Sequence, residues 1–375
     1  MLLSYKFKIE PSKTQGAALG EMLRDFCQLY NAALEHRVEA WRKSVSVKCN
    51  EQIVTLPIIR RDAPDTHGRW SSTAQQQVLR RLDKAFKAFF GRIRRGAKAG
   101  FPRFRARDSY HAADFRVGDG LTIRKSGKVG IVGVPGEIKI RWHREMPNKP
   151  KSAILTRQAG RWYVVFHVEV ETVERAGPDS VGIDFGLTSL VALSNGEAVA
   201  RPDWTKRAAK GLRRRQRAAA RCKRGSRIRR KRVVALAIYH SHIGNRRRDF
   251  CHKLTRDLVS RFGRIAVEDL NIKGLAAGML AKHVHDAAWA QIVSMLRYKA
   301  VNAGCELAEV DPRGTSQTCP ECGVIAAKAL AIREHRCECG CILDRDVAAA
   351  KIVHLRAFGF IPGTGIGQLT QRVAA

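Results

Sequence analysis

The chain has 375 residues, 45% of them hydrophobic and 27% charged: enough apolar material for two or three domains with cores, and too much for global disorder. Lysine and arginine number 69 against 34 acidic residues, and a compact body with that net charge of +35 repels itself unless it binds a polyanion, for which nucleic acid is the natural choice. No apolar run reaches the roughly 18–20 residues that span a bilayer, the N-terminus has no signal-peptide core, and five of the ten cysteines crowd between Cys319 and Cys341, a pattern of metal binding in a reducing compartment. A cytoplasmic, nucleoid-associated protein is expected.

In chain order, residues 3–9 alternate Leu3, Tyr5, Phe7 and Ile9 with Lys6 and Lys8, which predicts a half-buried strand ended by Pro11 and Ser12. Residues 14–43 carry Leu19, Leu23, Phe26, Tyr30 and Leu34 at helical spacing, and a second helix fits 71–95, with Val78, Leu82, Phe86 and Phe89 opposite a basic face. The segment 100–110 breaks that pattern at Gly100 and Pro102 and mixes Arg103, Arg105 and Arg107 with Phe101, Phe104 and Tyr110. Short strands at 114–117, 121–124, 128–132, 137–142, 152–157 and 161–171, parted by glycines, suggest a small β-barrel whose first strand is 3–9. The helical stretch 14–107 is then either an insertion into the barrel or an adjacent domain, and pattern alone leaves both open.

Past Gly177 the pattern becomes α/β. Strands are expected at 181–184, 189–193, 264–268 and 306–310, long helices within 206–262, and helices at 286–303 and about 344–356, before a loose tail from Phe358. Residues 206–232 hold fifteen lysines or arginines in 27 positions and no carboxylate. An ordinary solvated helix mixes both signs, because like charges a turn apart repel. A strip lying along a phosphate backbone fits better.

Two cysteine pairs, Cys319–Cys322 and Cys337–Cys339, are separated by 14 residues, and each is followed by a glycine. Four thiolates on two tight turns match the tetrahedral, closed coordination of structural zinc. Cys341 is a fifth candidate that can exchange roles with Cys339. Three acids stand where metal-dependent phosphodiester hydrolysis needs them: Asp184 and Glu268 end apolar strands, and Asp346 opens a helix. Magnesium prefers hard carboxylate oxygens, and two such ions clamp the attacking and leaving oxygens. Asp269 and Asp344 are rivals by spacing, and an acid at such a place is often only a turn former or cap.

These residues resemble the TnpB proteins of insertion sequences, relatives of the type V CRISPR effectors. The resemblance rests on GIDFGLTSLVALSNG (182–196), IAVEDLNIKGL (265–275), TSQTCPECG (315–323) and CECGCILDRDVAAAKIV (337–353), and more loosely on YKFKIEPSKTQ, AQQQVLRRLDKAFKAFF and FPRF in the front half. It implies an α+β multidomain protein. A wedge-type β-barrel (1–13 and 108–177) is interrupted by a helical recognition domain (14–107). An RNase H-like (RuvC) nuclease domain follows (178–312 and 343–356), with an inserted zinc ribbon (313–342) and a flexible tail (357–375).

The implied activity is RNA-guided, magnesium-dependent cutting of double-stranded DNA beside a short flanking motif, with a transposon-derived guide RNA. Asp184, Glu268 and Asp346 fall on the family's catalytic acids and would hold two Mg2+ ions; Cys319, Cys322, Cys337 and Cys339 fall on its zinc ligands. Gln75, Gln76, Lys84, Arg103, Arg213, Arg217, Arg221 and Arg227 are candidate nucleic-acid contacts, and the transposase of the same element is a candidate partner. One departure matters: the family carries Asn where this chain has Ala348. A nuclease-weak regulator of transposition and a compact CRISPR effector are the alternatives.

Overall fold

The computed structural model describes residues 1–171, 176–275, 287–326, 329 and 332–359, and divides into two compact units, 1–170 and 171–375. The outer part of the expected tail, residues 360–375, and position 286 of an expected helix lie outside the described residues.

The first unit is built on seven strands: β1 (Leu2–Glu10), β2 (Ala112–Val117), β3 (Gly120–Ile123), β4 (Val129–Ile131), β5 (Glu137–Arg141), β6 (Ser152–Gln158) and β7 (Arg161–Glu169). They close into a barrel in the order β1-β5-β4-β3-β2-β6-β7. Closure is made by the long antiparallel pairing of β1 with β7, from Leu2 opposite Glu169 to Ile9 opposite Trp162, and it leaves no strand edge open to another chain. Alternate residues point inward, so Phe7, Ile9, Val164 and Phe166 are fully buried.

Between β1 and β2 run four helices: α1 (Lys13–Arg42), α2 (Cys49–Val54), α3 (Leu56–Asp62) and α4 (Ser72–Arg94). Helix α1 starts where Ser12 and Gln15 form a reciprocal capping box. Its predicted stripe Leu19, Leu23, Phe26, Tyr30 and Leu34 is buried, and it belongs to the same continuous core as the barrel's inward side chains. Helices α2 and α3 were not legible in the sequence: they are short, and Leu56 and Gln52 are their only buried residues.

In the second unit the sheet strands are β8 (Asp179–Asp184), β9 (Ser189–Leu193), β10 (Ala198–Ala200), β11 (Phe262–Glu268) and β12 (Glu306–Val310), in spatial order β10-β9-β8-β11-β12. β9 runs antiparallel to β8, while β8, β11 and β12 are mutually parallel. The helices are α5 (Trp204–Ala220), α6 (Arg227–Arg261), a single turn α7 (Ile272–Leu275), α8 (Trp289–Ala303) and α9 (Arg345–Phe358). A two-stranded ribbon, β13 (Glu334–Arg336) with β14 (Ile342–Asp344), precedes α9.

Strand alternation decides what each face of this sheet receives. Val181, Ile183, Ile265 and Val267 join Leu258 and Val259 of α6 and Ile292 and Leu296 of α8 in one core. The alternate positions, Gly182 and Ala266, are small. A Cβ on Gly182 would stand 2.1 Å from the carbonyl oxygen of Ala350, so α9 lies with its backbone directly against β8. Among the described residues no helix is long and apolar enough to cross a membrane.

Candidate nuclease site and metal centre

The same alternation carries the acids. Asp184 shares the parity of Gly182, and Glu268 shares that of Ala266, so both side chains emerge on the face covered by α9. Because β8 and β11 are parallel with Ile183 beside Val267, both acids sit at the carboxyl ends of neighbouring strands, where open α/β sheets bind ligands. The third acid comes from the first turn of α9. The Asp346 carboxylate reaches back so far that a Cβ on Gly186, just after β8, would be 3.3 Å from its Oδ2.

The rival acids have other tasks. Asp344 caps α9, its Oδ1 accepting from the Asp346 and Val347 amides at 2.9 and 3.2 Å. Asp269 points to solvent.

Asp184 feels both of the other acids. Burial first, and then the nearby charges of Glu268 and Asp346, push the Asp184 carboxyl up to about 8. Glu268 is raised by burial, against a hydrogen bond that lowers it: the Thr315 hydroxyl donates to its Oε1 at 2.6 Å. Asp346 is raised by burial and by Asp344, and opposed by Arg333, whose guanidinium lies 4.0 Å away. Three hard-oxygen donors that repel one another are the donor set a divalent cation neutralises. They are spread more widely than a one-ion cage: among the described residues, only sulfur-containing sets bring every ligand atom within 4.8 Å of the rest.

Three supports were not anticipated. Thr315 lies in a segment whose cysteines drew attention instead. Arg356 donates to the carbonyls of Asp311 and Arg313 at 2.7 and 2.9 Å, tying α9 to the loop that delivers Thr315. Arg345, buried, donates to the carbonyl oxygens of Ala329 and Ile332 at 2.7 and 3.1 Å and pins the ribbon to the start of α9. Of the three, only Arg345 carries a weak signal, as a basic residue beside Asp346 in the sequence.

Cys319, Cys322, Cys337 and Cys339 converge, with Cys319 Sγ 3.7 Å from Cys339 Sγ and Cys322 Sγ 3.5 Å from Cys337 Sγ. Sulfurs around tetrahedral zinc with bonds of about 2.3 Å stand about 3.8 Å apart, so the spacing fits that ion. Each pair lies on a turn closed by a left-handed glycine, Gly323 (φ 74°) and Gly340 (φ 88°). Burial alone would push the Cys319 thiol up, but the backbone amides of Cys322 and Glu321 and the His335 ring bring it down to about 5. Cys341 lies outside the four-sulfur set and groups with Cys319 and His335.

The expected nucleic-acid contacts divide. Lys84, Arg103, Arg213, Arg217, Arg221 and Arg227 are exposed and Gln76 is half-buried. Gln75 departs from the surface position expected of such a contact: it is fully buried, its Nε2 donating to the His67 carbonyl at 2.7 Å and its Oε1 accepting from Arg60 at 3.0 Å, so it braces α3 against α4. The helical stripe through Val78 and Leu82 places it inside.

The family model described as "Probable transposase" (OrfB of IS605) matches residues 163–278, and that described as "Cas12f1-like, TNB domain" matches residues 289–353. A Streptomyces pristinaespiralis protein named as an RNA-guided DNA endonuclease is 34% identical over 93% of this chain and 87% of its own length. An Escherichia coli K12 protein named in the same way is 26% identical over 90% of this chain and 87% of its own. In fold, the chain resembles Cas12f1 from a complex with sgRNA and target DNA, with a TM-score of 0.58 and 13% identity over 90% of this chain and 82% of that one.

Proposed function

For this chain, which belongs to the TnpB family of RNA-guided DNA endonucleases, we propose that Asp184, Glu268 and Asp346 form a magnesium-dependent RuvC-type cleavage site in an RNase H-like domain. The protein is an RNA-guided DNA endonuclease; the proposal concerns how it cuts. The observation that carries it is the meeting of three acids, far apart in the chain, at the ends of β8 and β11 and the start of α9, with Asp184 held up to about 8 by burial and its two acidic neighbours.

The three carboxylates would hold two Mg2+ ions, hard cations that take such oxygen ligands. When bound, the ions supply charge neutralisation at the phosphate and make water a stronger nucleophile at neutral pH. The chain's own residues do the positioning. Thr315 keeps Glu268 aimed inward, Asp344 fixes the first turn of α9, and Gly182 and Gly186 admit α9 and its acid to the strand end. The four converging cysteines would hold a structural Zn2+ that shapes the ribbon ahead of α9.

Base pairing with the guide RNA would supply sequence specificity, while the protein reads duplex shape and a short flanking motif. The guide's transposon origin, and the element's transposase as a partner, rest on family resemblance alone. The nuclease-weak alternative has one observation behind it, Ala348, which is buried two residues past Asp346.

The test is plasmid cleavage with guide RNA and Mg2+. Asp184→Asn is expected to lower cutting by at least about a hundredfold while RNA-dependent DNA binding stays within a few-fold. Full cutting by this variant would remove Asp184 from the site, and a wild-type protein that binds target without cutting would favour the regulator.

A further inference from the structure

The four-sulfur set leaves two of the ribbon's metal-binding side chains unexplained. His335 is 1% exposed and Cys341 9% exposed, and each has its ligand atom within 4.8 Å of the other's and of Cys319 Sγ. Neither is a ligand in the four-sulfur set, yet both converge on one of its members, which is itself fully buried. An apolar residue in place of His335 would fill the space without the cost of burying an imidazole.

We infer that His335 and Cys341 are positioning residues of the metal centre: packed against the Cys319 sulfur from within the ribbon, they fix where it points, without ligating the ion.

This rests on the zinc reading of the four cysteines and extends it. The ribbon delivers both groups. His335 is the middle residue of β13, paired with Leu343, and Cys341 closes the turn by accepting the Cys337 amide at 3.0 Å. The His335 ring and the Cys341 sulfur each bring an atom within 4.8 Å of the Cys319 sulfur. Cys322, Cys337 and Cys339 are all more open to water, which can hydrate their sulfurs. Cys319 has no such supply, so its orientation depends on the protein groups packed around it. Outer groups of this kind orient a ligand and tune its basicity, and their loss typically costs about 10–100-fold in metal affinity. The chain's C-x-C-x-C run thus divides its labour: Cys337 and Cys339 bind, and Cys341 supports.

The test measures zinc retention in the full-length protein. Wild type is expected to carry one zinc. His335→Phe and Cys341→Ala should each still carry one zinc at saturation but surrender it to a competing chromogenic chelator about 10–100-fold more readily. His335→Gln, which keeps a donor, should recover most of the loss, as a merely space-filling role would not. If His335→Phe does not fold, Cys341→Ala, at the rim of the buried set, makes the same measurement.

Unchanged chelator competition in the variants would overturn the inference, and so would complete loss of zinc at saturation, which would make either residue a ligand. A wild-type protein without zinc would overturn the four-cysteine reading as well, so the two failures are distinguishable.

Discussion

At Gly182 the chain has no room for a methyl group. A Cβ there would come within 2.1 Å of the Ala350 carbonyl oxygen and 2.5 Å of the His354 amide nitrogen, both backbone atoms that cannot rotate away. Gly182→Ala must therefore push α9 off β8, at a cost of about 1–3 kcal/mol or more. Since α9 carries Asp346, the same shift parts the acids. The expected outcome is a Tm lower by several degrees and cutting reduced more than tenfold at a temperature where the variant is folded, with zinc content unchanged. Normal cutting by a folded variant would show that Asp346 need not sit at this depth. Which of two acids faces the pocket was the hardest thing to read at this scale. Asp344 and Asp346 are two residues apart and equally placed at a helix start; only the hydrogen bonds from the Asp346 and Val347 amides show that Asp344 is spent on the cap. Local spacing likewise named the cysteines but gave no reason to attend to His335 or Thr315, whose partners are 16 and 47 residues away.

Elements with a strong period were legible, and elements without one were not. The strands of the barrel and the five-stranded sheet show apolar alternation or short apolar runs, and α1 and α4 show a stripe. α2, α3 and the β13–β14 ribbon have too few buried positions to set a period, and barrel closure depends on a pairing of β1 with β7 across some 160 residues that no local pattern encodes. Helix packing adds features that periodicity misses altogether. Lys299 of α8 is half-buried against α6, where its Nζ donates to the His252 carbonyl at 2.6 Å and the Thr255 hydroxyl at 2.7 Å. Burial, and secondarily Arg256, bring its ammonium down to about 8 from an ordinary 10.5. Below pH 8 the lysine is protonated in both folded and unfolded chains, and the folded state bears the full cost of the buried charge. Between about 8 and 10.5 the unfolded chain holds more protons, so stability rises with pH and the cost disappears. Lys299→Met should accordingly be more stable than wild type at pH 7, with the advantage shrinking as pH passes from 8 towards 10.5. Partial solvent access limits its size. Denaturation midpoints for both proteins across that range check it, and a difference independent of pH would show that the ammonium is not desolvated.

For the whole molecule the governing quantity is charge. A net +35 repels itself inside a compact body and calls for a bound polyanion. It was legible from composition at once, as a partner class, while its placement needed the helices: the run 206–232 occupies α5, the turn after it and the start of α6, and leaves Arg213, Arg217, Arg221 and Arg227 exposed. Other arginines of the run are used at home. Arg229 donates to the carbonyls of Ala219 and Cys222 at 3.2 Å, holding the α5–α6 turn, and Arg215 lies 4.0 Å over the Tyr239 ring, knitting the two helices. The hairpin is thus stiffened by some of its cations so that the rest can face a polyanion. Each phosphate neutralised releases counterions, which makes log K fall with log salt by about 0.7–0.9 per contact. Replacing Arg213, Arg217, Arg221 and Arg227 together by glutamine should therefore weaken guide-RNA or target binding at moderate salt, and make the salt slope shallower by roughly 3 if all four touch phosphate. Zinc content and Tm should hold, because among the described residues none of the four side chains makes a hydrogen bond or ion pair that holds the hairpin. An unchanged slope would place the strip's exposed face away from the nucleic acid.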